Sequence, residues 1–201
     1  MLAARALCQA IANEAGAKQY EFADKGEDLD KLWEARRGCY MAAISYREVK
    51  GDRVYLSDTC VPLSNIAQMI SETEKDFQDA GFPCIICAHI ADGNFHACIP
   101  YQPENYSTVK EIETRMIRRA LSLEGTVSGE HGVGVGKIEH ILEEHGEDHI
   151  NLQRAVKRAM DPKNIMNPGK IFILPRHAGG CCDLPKIYHE TEDGSGGTYK
   201  H

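Results

Sequence analysis

Two β-rich runs, residues 84–90 and 94–101, meet at Ala91-Asp92-Gly93-Asn94, and Asp-Gly between such runs is a strong hairpin signal. An antiparallel pair is therefore expected in the middle of the chain, and the other elements must cover it. A two-residue turn at Asp92-Gly93 would set His89 directly opposite His96 and Cys87 opposite Cys98. Opposed residues have Cβ atoms roughly 5 Å apart on one face, from which two imidazoles can converge on one metal ion. The other reading is a pair of half-buried sheet histidines satisfied by hydrogen bonds. Cys84 and Cys87 point to opposite faces of one strand, which is wrong for a zinc knuckle, so they read as small core residues.

Around the hairpin the periodicity alternates between helix and strand. Leu2, Ala6, Leu7, Ala10 and Ile11 share one helical face over residues 2–15, and a second helix over 28–46 carries Leu29, Leu32, Trp33, Arg36 and Tyr40 on one stripe. Short strands are expected at 19–23 and 53–57. A third helix, capped by Ser64, is expected to reach residue 80. Beyond the hairpin come a long helix over 104–123, an extended piece at 126–128, a glycine-rich loop at 129–136, and helices over 137–144 and 148–160 stopped by Asp161-Pro162. The class is α+β, an antiparallel-rich sheet covered by helices. One domain over residues 1–174 is expected, with 175–201 a loose tail of Gly, Pro, His and charge.

Charge excludes some partners. With 30 acidic against 23 basic residues, a formal charge of -7 and no basic run, the chain has no electrostatic footprint for nucleic acid or an anionic membrane surface. No apolar run approaches the roughly 18 residues that span a bilayer, and the first residues run straight into an amphipathic pattern rather than a secretory signal. Eight cysteines scattered through ordinary helix and strand patterning read as reduced thiols, which favours the cytosol or the mitochondrial matrix.

A third metal ligand is available in Ser128-Gly129-Glu130-His131-Gly132-Val133-Gly134-Val135-Gly136-Lys137. Glu130 beside His131 among glycines can complete a two-histidine, one-carboxylate site with open positions for substrate. His131 is then left as a base near neutral pH. A flexible glycine turn with two incidental polar residues is the competing reading.

Taken together, several segments resemble one family. They are His89-Ile90-Ala91-Asp92-Gly93-Asn94-Phe95-His96, Ser128-Gly129-Glu130-His131-Gly132-Val133-Gly134, Asp161-Pro162-Lys163-Asn164-Ile165-Met166-Asn167-Pro168-Gly169-Lys170, Leu32-Trp33-Glu34-Ala35-Arg36 and Asp58-Thr59-Cys60-Val61-Pro62-Leu63-Ser64. Over roughly residues 1–174 the chain resembles the C-terminal cap domain, ferredoxin-like in fold, of FAD-linked oxidases of the vanillyl-alcohol oxidase superfamily. Within these it is most similar to the D-lactate dehydrogenase (cytochrome) branch.

The resemblance implies a divalent metal, zinc or manganese, held by His89, His96 and Glu130, with His131 as catalytic base, Arg36 binding the substrate carboxylate and Asn167 near the flavin of FAD. It also implies oxidation of a small 2-hydroxy acid such as D-lactate, with cytochrome c or another electron acceptor as partner. The implied location is mitochondrial, with cytoplasmic as the alternative. The family's flavin-binding domain and the opening strand of its cap are not found in this sequence, so the chain alone is expected to be inactive. A non-catalytic metal-binding or interaction fragment is the alternative reading.

Overall fold

The computed structural model describes residues 2–46 and 53–173; the expected tail, residues 175–201, lies outside the described residues. The chain divides into two compact units, residues 1–39 and 40–201. The first unit holds helix α1 (Leu2–Glu14) and most of α2 (Glu27–Ser45), matching the two expected helices within a residue or two. The strand expected over 19–23 does not form there. That stretch pairs with no strand among the described residues, and Phe22 instead receives the Arg5 guanidinium 4.4 Å from its ring centroid, a cation–π contact.

The second unit is built on a four-stranded antiparallel sheet of β1 (Arg53–Leu56), β2 (Thr59–Cys60), β3 (Ile85–His89) and β4 (Asn94–Tyr101). β4 lies at its centre, pairing with β3 along one edge and with β1 and β2 along the other. All eight of its residues are buried. Alternation along a strand then sorts its side chains. Phe95, Ala97, Ile99 and Tyr101 join the apolar core with residues of α3 (Ile66–Asp79) and α4 (Tyr106–Ser122), whereas Asn94, His96 and Cys98 belong to the opposite face. Phe77, Phe95, Met69, Ile99, Ile112 and Met116 are nearly or wholly inaccessible. Each contributes roughly 1.5–3 kcal/mol by leaving water.

The hairpin forms, in a different register from the one expected. His89 pairs with Asn94 and Cys87 with His96, a slip of two residues. The turn is not two residues long: Ile90–Asp92 make a 3-10 turn closed by Gly93 at φ 76. Gly93 also donates from its amide to the Ile90 carbonyl and accepts the Val61 amide. Because side chains alternate with period two, a slip of two keeps parity, so His89 and His96 still share a face, now diagonally. Gly93 is fixed by close approach as well as by φ, since a Cβ there would lie 2.1 Å from the Val61 carbonyl oxygen. Gly93→Ala should therefore cost roughly 2 to 3 kcal/mol, read as a lower urea midpoint with unchanged slope.

The expected caps and helix boundaries shift in small ways. Ser64 lies inside a 3-10 turn, Leu63–Asn65, and Asn65 precedes α3 without a side-chain cap. The Asn65 amide donates instead to the Leu123 carbonyl. The two helices expected at 137–144 and 148–160 run on as α5 (Ile138–Met160), with a break at Gly146, whose φ of 75 and ψ of 166 are not helical. The extended piece at 126–128 makes one bridge, Thr126 to Cys60, which brings the glycine loop back to the sheet. The Tyr55 hydroxyl bonds Glu113 of α4, fastening β1 to the helical layer. Cys8, Cys60, Cys84, Cys87 and Cys98 form no disulfide among the described residues.

Candidate metal centre

Three imidazoles gather around one carboxylate oxygen. Glu130 Oε1 lies 2.8 Å from His96 Nε2, 3.2 Å from His89 Nε2 and 4.0 Å from His131 Nε2. The His96 ring centroid is 5.9 Å from that of His89 and 5.0 Å from that of His131. His89 arrives from the end of β3, His96 from the middle of β4, and Glu130-His131 from the glycine loop. The candidate ligands named from sequence are therefore brought together, even though the hairpin register behind them differs from the expected one. His96 is buried, while His89, Glu130 and His131 are about half exposed, so the centre is anchored in the sheet and open on one side.

The chemistry of the donors tests whether a metal fits. His96 Nδ1 lies 3.0 Å from the Ser57 carbonyl oxygen, which can only accept, so Nδ1 carries the hydrogen and donates it. In the neutral ring, Nε2 then presents a lone pair to the Glu130 carboxylate at 2.8 Å. Two acceptors at that separation repel unless a metal cation, or a proton on Nε2, lies between them. Ligand atoms bound to zinc at about 2.0–2.2 Å sit roughly 3 to 3.6 Å from one another, close to the spacings here. The donor set fits a divalent ion, with the Ser57 carbonyl fixing the tautomer of one ligand as outer-shell partners of metal-bound histidines commonly do.

A second group of possible donors, Asp58, His96 and His131, is equally compact. Asp58 is nevertheless occupied. Its Oδ1 accepts the Glu130 amide at 2.9 Å, and its Oδ2 accepts the Ser128 hydroxyl at 2.8 Å, the His131 amide at 3.0 Å and Lys137 Nζ at 3.2 Å. Burial alone would push the Asp58 carboxyl up, but these amides, the hydroxyl and the ammonium outweigh it and hold it at about 2. Burial likewise pulls the Lys137 ammonium below its usual range, opposed by Asp58. Asp58 and Lys137 were quoted from sequence only as parts of motifs, without roles. No spacing could have paired them with the loop, since Asp58 and Glu130 lie 72 residues apart.

The remaining residues named from sequence are placed as follows. Arg36 is a partly buried residue of α2 and belongs to the first unit. Asn167 is exposed, with φ 46, in the turn after α5, and stands outside the imidazole cluster. Asp161 folds that turn by accepting the Ile165 and Met166 amides. The turn is joined to the glycine loop where the Ile171 amide donates to the Gly134 carbonyl at 2.7 Å.

A family model described as FAD linked oxidases, C-terminal domain, matches residues 2–171. The chain is 41% identical over 167 residues to the mitochondrial D-lactate dehydrogenase [cytochrome] 1 of Saccharomyces cerevisiae, covering 82% of this chain and 28% of that protein. It is 36% identical over 174 residues to the mitochondrial D-lactate dehydrogenase [cytochrome] of Arabidopsis thaliana, covering 85% and 30%. A D-lactate dehydrogenase of Archaeoglobus fulgidus is 32% identical over 162 residues, covering 80% and 35%. The chain thus spans about a third or less of the length of these curated relatives.

Proposed function

The chain belongs to the FAD-linked oxidase family through the C-terminal domain, and from that membership we propose that it supplies the metal- and substrate-binding part of a flavin-dependent D-2-hydroxyacid dehydrogenase that oxidises D-lactate to pyruvate. The observation that carries the reading is the convergence of His89, His96 and His131 on Glu130. The names of the relatives support a mitochondrial location and a cytochrome as electron acceptor. Among the described residues no helix is long and apolar enough to cross a membrane. We assign the domain to residues 1–174, with 175–201 as a tail.

His89, His96 and Glu130 would hold a divalent ion, zinc or manganese, since two imidazoles and a carboxylate suit either. Bound there, the ion supplies Lewis acidity to the substrate hydroxyl, and the flavin of the complete enzyme supplies the acceptor for the hydride that leaves Cα. The residues of this chain do the rest. His131, exposed beside the ligands, takes the hydroxyl proton on a ring nitrogen. Arg36, a residue of the first unit, is assigned to the substrate carboxylate from the family resemblance, where a guanidinium would offer a planar fork that a lysine cannot reproduce. Asn167, in the turn fastened to the glycine loop, is the residue we assign to contact with the flavin.

Metal analysis of the purified chain tests this assignment. The chain should retain one equivalent of divalent ion, and the His89→Ala, His96→Ala double variant should lose it, as should Glu130→Gln. Unchanged metal content in the double variant would sink the ligand assignment and return the histidines to the role of hydrogen-bonded sheet residues.

A further inference from the structure

The two sides of the metal centre arrive from distant parts of the chain and meet on two consecutive residues. Ser57 holds the sheet side: its carbonyl accepts His96 Nδ1–H at 3.0 Å and its hydroxyl accepts the Ala97 amide at 2.8 Å. Asp58 holds the loop side through Ser128, the amides of Glu130 and His131, and Lys137. Lys137 closes the arrangement, donating to the Asp58 carbonyl at 2.5 Å as well as to its carboxylate. Ser57 and Asp58 are 1% and 3% exposed, so neither is free to shift.

The loop is tied at its two ends, by the Thr126–Cys60 bridge and by the Gly134 carbonyl that accepts the Ile171 amide, and neither contact reaches Glu130 or His131. The side chains of Glu130 and His131 are 49% and 54% exposed, so packing does not hold them. What fixes them is the main chain, and both of their amides end on the Asp58 carboxylate. Gly129 permits the approach: a Cβ there would lie 2.2 Å from Asn94 Oδ1 and 2.7 Å from Asp58 Oδ1. A carboxylate is well matched to this task because it offers only acceptors, and every group facing it is a donor.

We propose that Asp58 is a positioning residue which, together with the adjoining Ser57, sets the Glu130 carboxylate and the His131 imidazole against the His89–His96 pair. In this reading it is not a ligand: it acts through the loop, and its Oδ1 also lies 3.8 Å from His96 Nδ1. The inference rests on the metal reading of the site given above. Outer-shell partners of this kind change metal affinity by roughly 10- to 100-fold when removed.

The test is titration of the purified chain with Co2+ alone, following both affinity and the visible ligand-field spectrum, at a temperature where circular dichroism shows each variant folded. Asp58→Asn keeps the size of the side chain but turns an N–H group toward donors. It should weaken Co2+ binding by roughly 10- to 100-fold and alter the spectrum, since the carboxylate ligand is displaced. Asp58→Asn combined with Lys137→Met removes the buried charge and its partner together, and should show the same weakening if the single variant fails to fold. A residue that only stabilised the fold would leave affinity and spectrum of the folded protein unmoved. Binding within twofold of the wild type, with an unchanged spectrum, overturns the proposal for Asp58 alone, provided that the His89→Ala, His96→Ala variant does not bind. A wild-type chain that binds no Co2+ overturns the metal reading and this proposal with it.

Discussion

Replacing His131 by Asn in the flavin-containing enzyme should lower turnover with D-lactate by roughly 100- to 10,000-fold while leaving the bound metal in place. The separation follows from how the residue is held. Its main-chain amide donates to Asp58, a contact any residue at this position can make, so the loop should keep its path. Its ring lies at the exposed edge of the cluster, with Nε2 4.0 Å from Glu130 Oε1 against 2.8 Å for His96. It is the imidazole farthest from Glu130 Oε1, which suits the role of base proposed for it. Asparagine occupies similar space but accepts no proton near neutral pH. Stopped-flow measurement of flavin reduction by D-lactate separates this step from re-oxidation. Reduction at a near-normal rate in a variant that retains metal would remove His131 from the mechanism.

Lys137→Met should destabilise the protein by about 3 to 5 kcal/mol, because it leaves a buried carboxylate without its cation. Lys137 is 9% exposed and Asp58 3%, so water cannot take over the lost contact. The loop amides and Ser128 still face Asp58, which places the expected loss toward the lower end. Urea unfolding at pH 7 measures it, and a loss under about 1 kcal/mol would mean that the pair behaves like a surface ion pair.

The same carboxylate sets an acid limb. Asp58 is held at about 2 against an ordinary 3.8, so the unfolded chain binds its proton first as pH falls. Its contribution is therefore present above about pH 4 and lost as pH drops through 2. That lowering corresponds to about 2 to 3 kcal/mol. Unfolding free energy that stays flat between pH 4 and pH 2 would contradict this.

Much of the centre could be read from the sequence because its parts obey local rules. The Asp-Gly punctuation announced the hairpin, and parity put His89 and His96 on one face whichever even register the turn selected. The register itself escaped, because Gly93 is used to end a 3-10 turn and to admit the Val61 carbonyl, and the second requirement lies about thirty residues away in sequence. Glu130 and His131 stood out by composition, a carboxylate and an imidazole among glycines. The strand expected over 19–23 had the right alternation and no partner, and alternation alone makes no ladder. Asp58 could be quoted as part of a motif but not given its task, since its partners are 70 to 79 residues distant and two of them are backbone amides, which no side-chain pattern reveals.

The central position of β4 also bears on the order in which the molecule assembles. Its pairing with β3 closes a loop of only a few residues, whereas the Asp58–Glu130 contact closes one of 72. Short loops close early and at small entropic cost, and long ones wait for the rest of the chain. Loop-closure entropy therefore favours His89 and His96 coming together before Glu130, which joins when the glycine loop docks on Asp58. On the metal reading proposed above, a chain that had not made that long closure would offer two donors instead of three and would hold an ion loosely.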